Sequence, residues 1–165
     1  MITIQKASIV DVKIIQEIAY NSWPSTYGTI LSKEQLDYML EKFYAPETLI
    51  DLMTNKGHSF ILIHEANFCL GFASFQHNYL NQNTTRLHKI YLLPEAQGKG
   101  AGKLLIDAVV NSAKENHSKI VSLNVNRFNK ACTFYQKMGF EITGEEDIEL
   151  DYGYLMEDYK MEKKL

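Results

Sequence analysis

Three glycines fall within six residues at Gln97-Gly98-Lys99-Gly100-Ala101-Gly102. The run separates an apolar strand-like segment, Arg86 to Leu93, from a helical pattern running from about Gly100 to Asn116. Such a junction points several backbone N–H groups at one spot, on the positive end of a helix dipole, which suits a pyrophosphate. Glycines there allow close backbone approach and unusual dihedrals. Two familiar phosphate loops fail on spacing. With Gly102-Lys103 as the G-K pair of a G-x-x-x-x-G-K-[ST] loop, the first glycine falls on Gln97 and the hydroxyl on Leu104. A G-x-G-x-x-G fingerprint starting at Gly98 puts its third glycine on Lys103. The remaining bland reading is that the glycines only pack helix against strand.

The rest of the chain bounds what this loop can belong to. At 165 residues and 19.0 kDa, the chain is about one domain, 1–165. A hydrophobic share of 45% with 22% charged residues is ordinary for a globular protein and excludes disorder, collagen and a coiled coil. The net charge of −3 argues against nucleic acid and against an anionic membrane. Cys69 and Cys132 lie far apart, with no zinc or disulfide spacing, and read as buried free thiols. No metal is expected. Met1 to Val10 has no signal-peptide pattern, and no apolar run reaches the ~20 residues of a membrane span. A cytoplasmic protein is expected.

In chain order, Ile2 to Lys6 reads as a strand, and Ser8 with Asp11 as a capping box. Helical spacing at Val12, Ile15 and Ala19 predicts a first helix to about Ser22, stopped by Pro24. Ser32 with Gln35 opens a second helix, with Leu36, Met39, Leu40 and Phe43 on its apolar face. Pro46 opens a third, through Leu52. Strands follow at Ser59 to His64, Phe68 to Gln76, and Arg86 to Leu93. The last of these reads as alternating, with Leu87, Lys89 and Tyr91 opposed to His88, Ile90 and Leu92. The helix after the glycine loop carries Leu104, Leu105, Ala108, Val109 and Ser112 as its inner stripe. Next come a strand at Ile120 to Val125 and a helix at Asn129 to Met138 with Gly139 as its C′ residue. Strands at Phe140 to Thr143 and Tyr152 to Met161 close the chain. The order β-αα(α)-βββ-α-β-α-ββ predicts a mixed α/β sheet flanked by helices.

The loop also fits Q/R-x-x-G-x-G/A, at Gln97, Gly100 and Gly102, preceded by Lys89-Ile-Tyr-Leu-Leu-Pro94. Downstream stand Leu123-Asn-Val-Asn-Arg-Phe-Asn129, Ala131 and Phe134-Tyr-Gln-Lys-Met-Gly-Phe140. Together these resemble the acyl-CoA loop and the following strand–helix–strand of the GNAT superfamily of N-acetyltransferases, over about Ile2 to Glu162. Trp23 to Tyr27, Leu87-His-Lys-Ile-Tyr91 and Gly153 to Tyr159 are similar to the bacterial polyamine acetyltransferase branch.

That resemblance implies a single-domain, mostly antiparallel GNAT-like sheet and acetyl-CoA as cofactor. It implies that the backbone of Ile90, Tyr91 and Leu92 bonds the pantetheine arm. The amides of Gly98, Lys99, Gly100, Ala101, Gly102 and Lys103 would hold the pyrophosphate, with Gln97 heading the motif. Lys99 and Lys103 either face the nucleotide or are ordinary solvated lysines. The family asparagine on the strand-to-helix loop matches Asn129 with its spacing one residue short, so Asn126 competes for the role; either could instead cap the helix. Tyr135 matches the family's tyrosine, the general acid for the departing thiolate, or else it is a core tyrosine. A backbone N–H of the cofactor strand, at Leu92, would meet the oxyanion.

The base is not marked. The family's glutamates fall on Arg86 and Asn124. His88 remains as a candidate, against a structural histidine or a water chain. Trp23, Tyr27 and Tyr38 are the aromatics available to wall the acceptor site, or to pack the core. The acidic run Glu145 to Asp151 reads as a solvated loop, or as an attractor for a cationic amine. The expected activity is N-acetylation of a small amine, polyamine-like, by direct transfer in a ternary complex. The alternatives are a protein N-terminal or lysine acetyltransferase and a non-catalytic CoA-binding sensor. A monomer or a homodimer would serve either.

Overall fold

A computed structural model describes residues 1–165. The elements are β1 (Ile2–Lys6), α1 (Val12–Tyr27), α2 (Lys33–Tyr44), α3 (Pro46–Thr54), β2 (Ser59–Glu65), β3 (Phe68–Gln76), β4 (Thr84–Leu92), α4 (Ala101–Glu115), β5 (Ile120–Asn126), α5 (Ala131–Lys137), β6 (Glu141–Glu149) and β7 (Leu155–Lys164). One seven-stranded sheet runs in the order β1-β2-β3-β4-β5-β7-β6. Only β4 and β5 pair in parallel; every other ladder is antiparallel. The expected order and mixed, mostly antiparallel sheet are both found.

Each face of the sheet buries its own core. On one face, α4 and α5 cover a cluster that includes Ile63, Leu87, Leu105, Val109, Leu123 and Phe140. On the other, α1, α2 and α3 cover Ile15, Trp23, Leu40, Tyr44, Leu49 and Phe72. These contacts dominate the energetics. Truncating a fully buried Leu105 to Ala costs about 2–5 kcal/mol. The Lys33–Asp37 pair, by contrast, is exposed and screened by water, and contributes little.

Several local expectations shift. Helix α1 does not stop at Ser22. It continues through Pro24 to Tyr27, and Gly28 N–H donates to the Pro24 carbonyl at 2.9 Å. Proline removes one donor but leaves the carbonyls beyond it usable. The apolar face of α4 is rotated by about one residue. Ala101, Leu105, Ile106, Val109, Val110 and Ala113 are buried, while Leu104 is 40% exposed. The acidic run is not a loop: Glu145 to Glu149 lie in β6, the edge strand. At α2, Ser32 Oγ accepts from Gln35 N–H as expected, but the Gln35 side chain donates to the Leu155 carbonyl instead of closing the box. Cys69 is buried and Cys132 half-buried, both free.

Strand β4 departs from simple alternation. Ser74 faces Lys89 and Phe75 faces Leu87, so His88 is an extra residue, a bulge. The pleat changes phase there. Leu87, Ile90 and Leu92 all pack toward α4, while Tyr91 packs toward α1 and α2. A period-2 reading across His88 therefore puts Leu87 on the wrong side.

Candidate active site

Past the bulge, β4 parts from its parallel neighbour. The ladder to β5 runs only from Thr84–Ile120 to Leu87–Leu123, yet β4 continues to Leu92 and β5 to Asn126. Meanwhile β3 stays paired with β4 to Leu92, and β7 with β5 to Asn126. The sheet is thus split into a wedge from the middle of β4 onward. Leu93 N–H donates to the Leu70 carbonyl at 2.8 Å. In an antiparallel ladder the hydrogen-bonding direction alternates, so the amide groups of Ile90 and Leu92 point the other way, into the wedge. A cleft of about 780 Å³ opens there.

The glycine loop forms one end of this cleft. From Gly98 through Lys103, no backbone N–H donates to a backbone carbonyl. Ala101, Gly102 and Lys103 are the first turn of α4, whose N–H groups lack intrahelical acceptors by geometry. Gly100 holds φ +71° and a side chain there would point into open space. Gly102 is needed for a different reason: a Cβ would stand 3.2 Å from the Phe134 ring and 3.5 Å from a Leu92 methyl. Unspent amides at a helix N-terminus, beside an unpaired strand edge, fit an extended ligand with a pyrophosphate at one end. They fit the CoA expected from the motif.

Aromatics wall the opposite side. Because α1 continues past Pro24, Trp23 and Tyr27 pack one turn apart, their rings tilted with centroids 4.7 Å apart. Tyr27 and Tyr91 share a hydrogen bond of 2.9 Å between hydroxyls. Burial pushes the Tyr27 phenol up to about 12 and Tyr91 well above its ordinary value. Tyr135, on α5, is buried and lines the cleft; its pKa is raised by burial and by nearby Tyr27. These phenols keep their protons at neutral pH.

The floor is polar. Asn124 and Asp158 line the cleft from β5 and β7, and Asp158 is 6% exposed. The Asn124 amide donates to Asp158 at 3.4 Å and to Glu146 at 3.0 Å. Burial raises the Asp158 pKa, opposed by Asn124. Arg86 donates to Ser122 Oγ at 3.3 Å and lies over the Tyr79 ring. The Lys89 ammonium sits 5.3 Å from the Tyr44 ring centre, and burial holds its pKa down to about 8.

Most of the expected site residues meet in this one cleft. Ile90, Tyr91, Leu92, Gln97, Gly98, Gly100, Ala101, Gly102, Lys103, Asn126, Asn129 and Tyr135 all line it, as do Trp23 and Tyr27. Three expectations need correction. Tyr38 lies outside the cleft, where its hydroxyl donates to Asp151 and its ring packs on Tyr152 and Tyr154. Lys99 does not face the cleft either: it is paired with Glu65 at 2.7 Å, as Lys103 is with Asp107 at 2.6 Å. His88 is a poor base. It hydrogen-bonds Gln76 at 3.0 Å and stacks on His58 at 4.0 Å; burial, then His58 and nearby cations, lower its pKa to about 3. Asn126 and Asn129 each accept a backbone N–H two residues on, from Phe128 and Ala131, which leaves both amide nitrogens for other partners. Sequence reasoning misses Asp158. It stands in a strand of ordinary composition, and only the fold brings it under the cleft.

Comparison with known proteins gives a consistent answer. The model of the acetyltransferase (GNAT) domain family matches residues 29–163. A spermidine N(1)-acetyltransferase of Thermoplasma acidophilum is 27% identical over 99% of this chain and 97% of its own length. A ribosomal-protein-bS18-alanine N-acetyltransferase of Haemophilus influenzae is 35% identical over 61% of this chain and 66% of its own. Among solved structures, the PaiA N-acetyltransferase of T. acidophilum in complex with coenzyme A superposes with a TM-score of 0.83 at 28% identity, covering 100% of this chain and 99% of that one.

Proposed function

The chain belongs to the GNAT acetyltransferase family, an N-acetyltransferase that uses acetyl-CoA, and on that premise we propose that it acetylates a primary amine of a small cationic, polyamine-like acceptor. The observation that carries the reading is the split between β4 and β5, which ends in the unspent amides of Gly98 to Lys103. The whole chain 1–165 acts as one catalytic unit.

Acetyl-CoA supplies an activated thioester. The loop amides bind its pyrophosphate, and the backbone of Ile90 and Leu92 lines up its arm as a strand would. One of Asn126 and Asn129 holds the arm from the other edge. The Leu92 N–H points into the wedge and stabilises the carbonyl oxygen as it gains charge. Tyr135 donates its hydroxyl proton in a hydrogen bond to the sulfur. A thiol has a pKa of about 8.5 and this phenol is held above 10, so full proton transfer from Tyr135 is uphill. Tyr135 therefore steadies the leaving group, while the proton that neutralises the sulfur comes from the amine. Neither thiol competes as a nucleophile, since burial raises both Cys69 and Cys132. Transfer is direct.

Support for the acceptor class comes from the spermidine-acetylating relative and from the acidic strand β6 beside the cleft. The bS18-alanine relative favours a second reading, a protein N-terminus. Thiol release from acetyl-CoA in the presence of spermidine, spermine, diamines and Ala-initiated peptides separates the two. Turnover confined to peptides overturns the polyamine reading. Absence of CoA binding overturns the site itself.

A further inference from the structure

Asp158 is the sole carboxylate among the residues lining the cleft, whose other charged members are Arg86, Lys89, Lys103 and Lys130. A carboxylate buried to this degree is costly unless something matches it. Its side-chain partner is the Asn124 amide, at 3.4 Å, a long contact. That amide is shared with Glu146, which holds it more closely at 3.0 Å. The orientation of Asn124 is set by these two acidic groups, and its Oδ1 is then left buried with no hydrogen-bond partner. On the same floor, then, a carboxylate has one long donor contact and a neutral amide oxygen has none. A primary ammonium offers three N–H donors and one positive charge, the complement of this pair.

We propose that Asp158 and the Asn124 amide oxygen seat the primary ammonium of the acceptor, and that Asp158 takes the proton this nitrogen must lose. The proposal rests on the acetyltransfer reading above. In the step, the N–H bond breaks and an O–H bond forms on Asp158. The freed lone pair forms the N–C bond to the acetyl carbon as the C–S bond breaks, and that electron pair leaves on sulfur. The nitrogen's second proton passes to sulfur, and Asp158 returns its own to water. The groups around Asp158 suit the task. Arg86 on β4 and Arg127 after β5 are cationic neighbours that resist a lasting second positive charge; Glu146 on β6 and burial disfavour the ionised carboxylate. From α1, Tyr27 faces the same carboxylate and stays neutral. A carboxylate so placed on β7 makes up for Arg86 and Asn124 at the positions where the family's glutamates were expected.

Asp158→Asn tests the proton role. With the best amine of the panel at neutral pH, kcat is expected to fall by about 100-fold or more. The remaining rate should climb about tenfold per pH unit as solution supplies neutral amine, and CoA affinity should stay at the parent value. A kcat within about threefold of the parent, or an unchanged pH profile, overturns it. Asn124→Ala tests the seat, with an expected rise of about tenfold in the amine's KM and unchanged CoA affinity. Unchanged KM overturns the seat, and this variant decides the matter if Asp158→Asn does not fold. A parent that binds CoA and acetylates no amine brings down the acetyltransfer reading, and Asp158's role with it. An active parent with both variants unaffected brings down this inference alone.

Discussion

The hydroxyls of Tyr27 and Tyr91 meet at 2.9 Å and tie the last turn of α1 to the part of β4 that has left β5. That bond joins the proposed acceptor wall to the strand proposed to line up the CoA arm. Tyr27→Phe removes it and leaves the Tyr91 hydroxyl buried without that partner, at a cost of about 1–2 kcal/mol. Thermal unfolding should fall by about 2–6 °C. The KM for the amine should rise more than the KM for acetyl-CoA. An unaltered melting temperature would show that the bond contributes nothing.

Gly100 separates backbone from charge. At φ +71°, Asn is tolerated far better than other side chains, and no atom blocks it. Gly100→Asn should lose about tenfold or less in CoA affinity, a cost of about 1 kcal/mol. Gly100→Asp adds a negative charge at the proposed pyrophosphate seat and should lose about 100-fold or more. Calorimetric titration with CoA reads both. Equal losses would place the pyrophosphate elsewhere.

Tyr135→Phe keeps the ring packed against Phe140 and deletes only the hydroxyl. CoA affinity should be unchanged and kcat should drop by about 10- to 100-fold. A hydrogen-bond donor, as opposed to a titrating acid, leaves the alkaline limb of the pH profile where it was. A kcat equal to the parent's would remove Tyr135 from the reaction.

The stacked pair His58 and His88 makes the fold acid-sensitive. Burial holds His58 down to about 4 and His88 down to about 3. In the unfolded chain both titrate near 6.5. The stability they carry is therefore full above about pH 6.5 and lost as pH falls toward their folded values. Asp158 has the opposite sign: its raised pKa favours the folded state on acidification, but it is one group against two. From pH 7 to about 4.5, unfolding free energy should drop by about 2 kcal/mol on account of the pair, after allowance for solvent screening. His88→Gln should remove about half of that drop in urea titrations at the two pH values. A parent equally stable at both would refute the assignment.

How much of this could be read from the chain depends on the kind of signal. The glycine loop and the order of the elements were legible because both are local. Apolar residues recur every three or four positions in α2 and run unbroken from Phe60 to Ile63 in β2, and Gly98, Gly100 and Gly102 cluster between a strand and a helix. Pro24 misled because its effect is directional: it removes a donor behind it and leaves the carbonyl ahead to serve Gly28. The run Glu145 to Asp151 misled because an edge strand with one partner tolerates charge on both faces. Asp158 carried no signal, since its meaning comes from Asn124 and Arg86 on two other strands. Tyr38 failed for the converse reason. It sits on the correct helix but turns outward to Asp151.

Position 88 is the one residue of β4 that the ladder to β3 passes over. Substituting His88 leaves the residue count between Phe75's partner and the glycine loop intact, so Ile90 and Leu92 still pack toward α4 and Lys89 still lies over Tyr44. Deleting His88 itself would keep Phe75 opposite Leu87 and Ser74 opposite Lys89, and the strand would alternate plainly from Leu87 to Leu92. Deleting a residue beyond the bulge, such as Lys89, would turn the far end over, with Ile90 and Leu92 facing the acceptor side and Tyr91 entering the α4 layer. The bulge is therefore removable without turning the strand, and the length that must be kept is the run from Lys89 to the glycine loop.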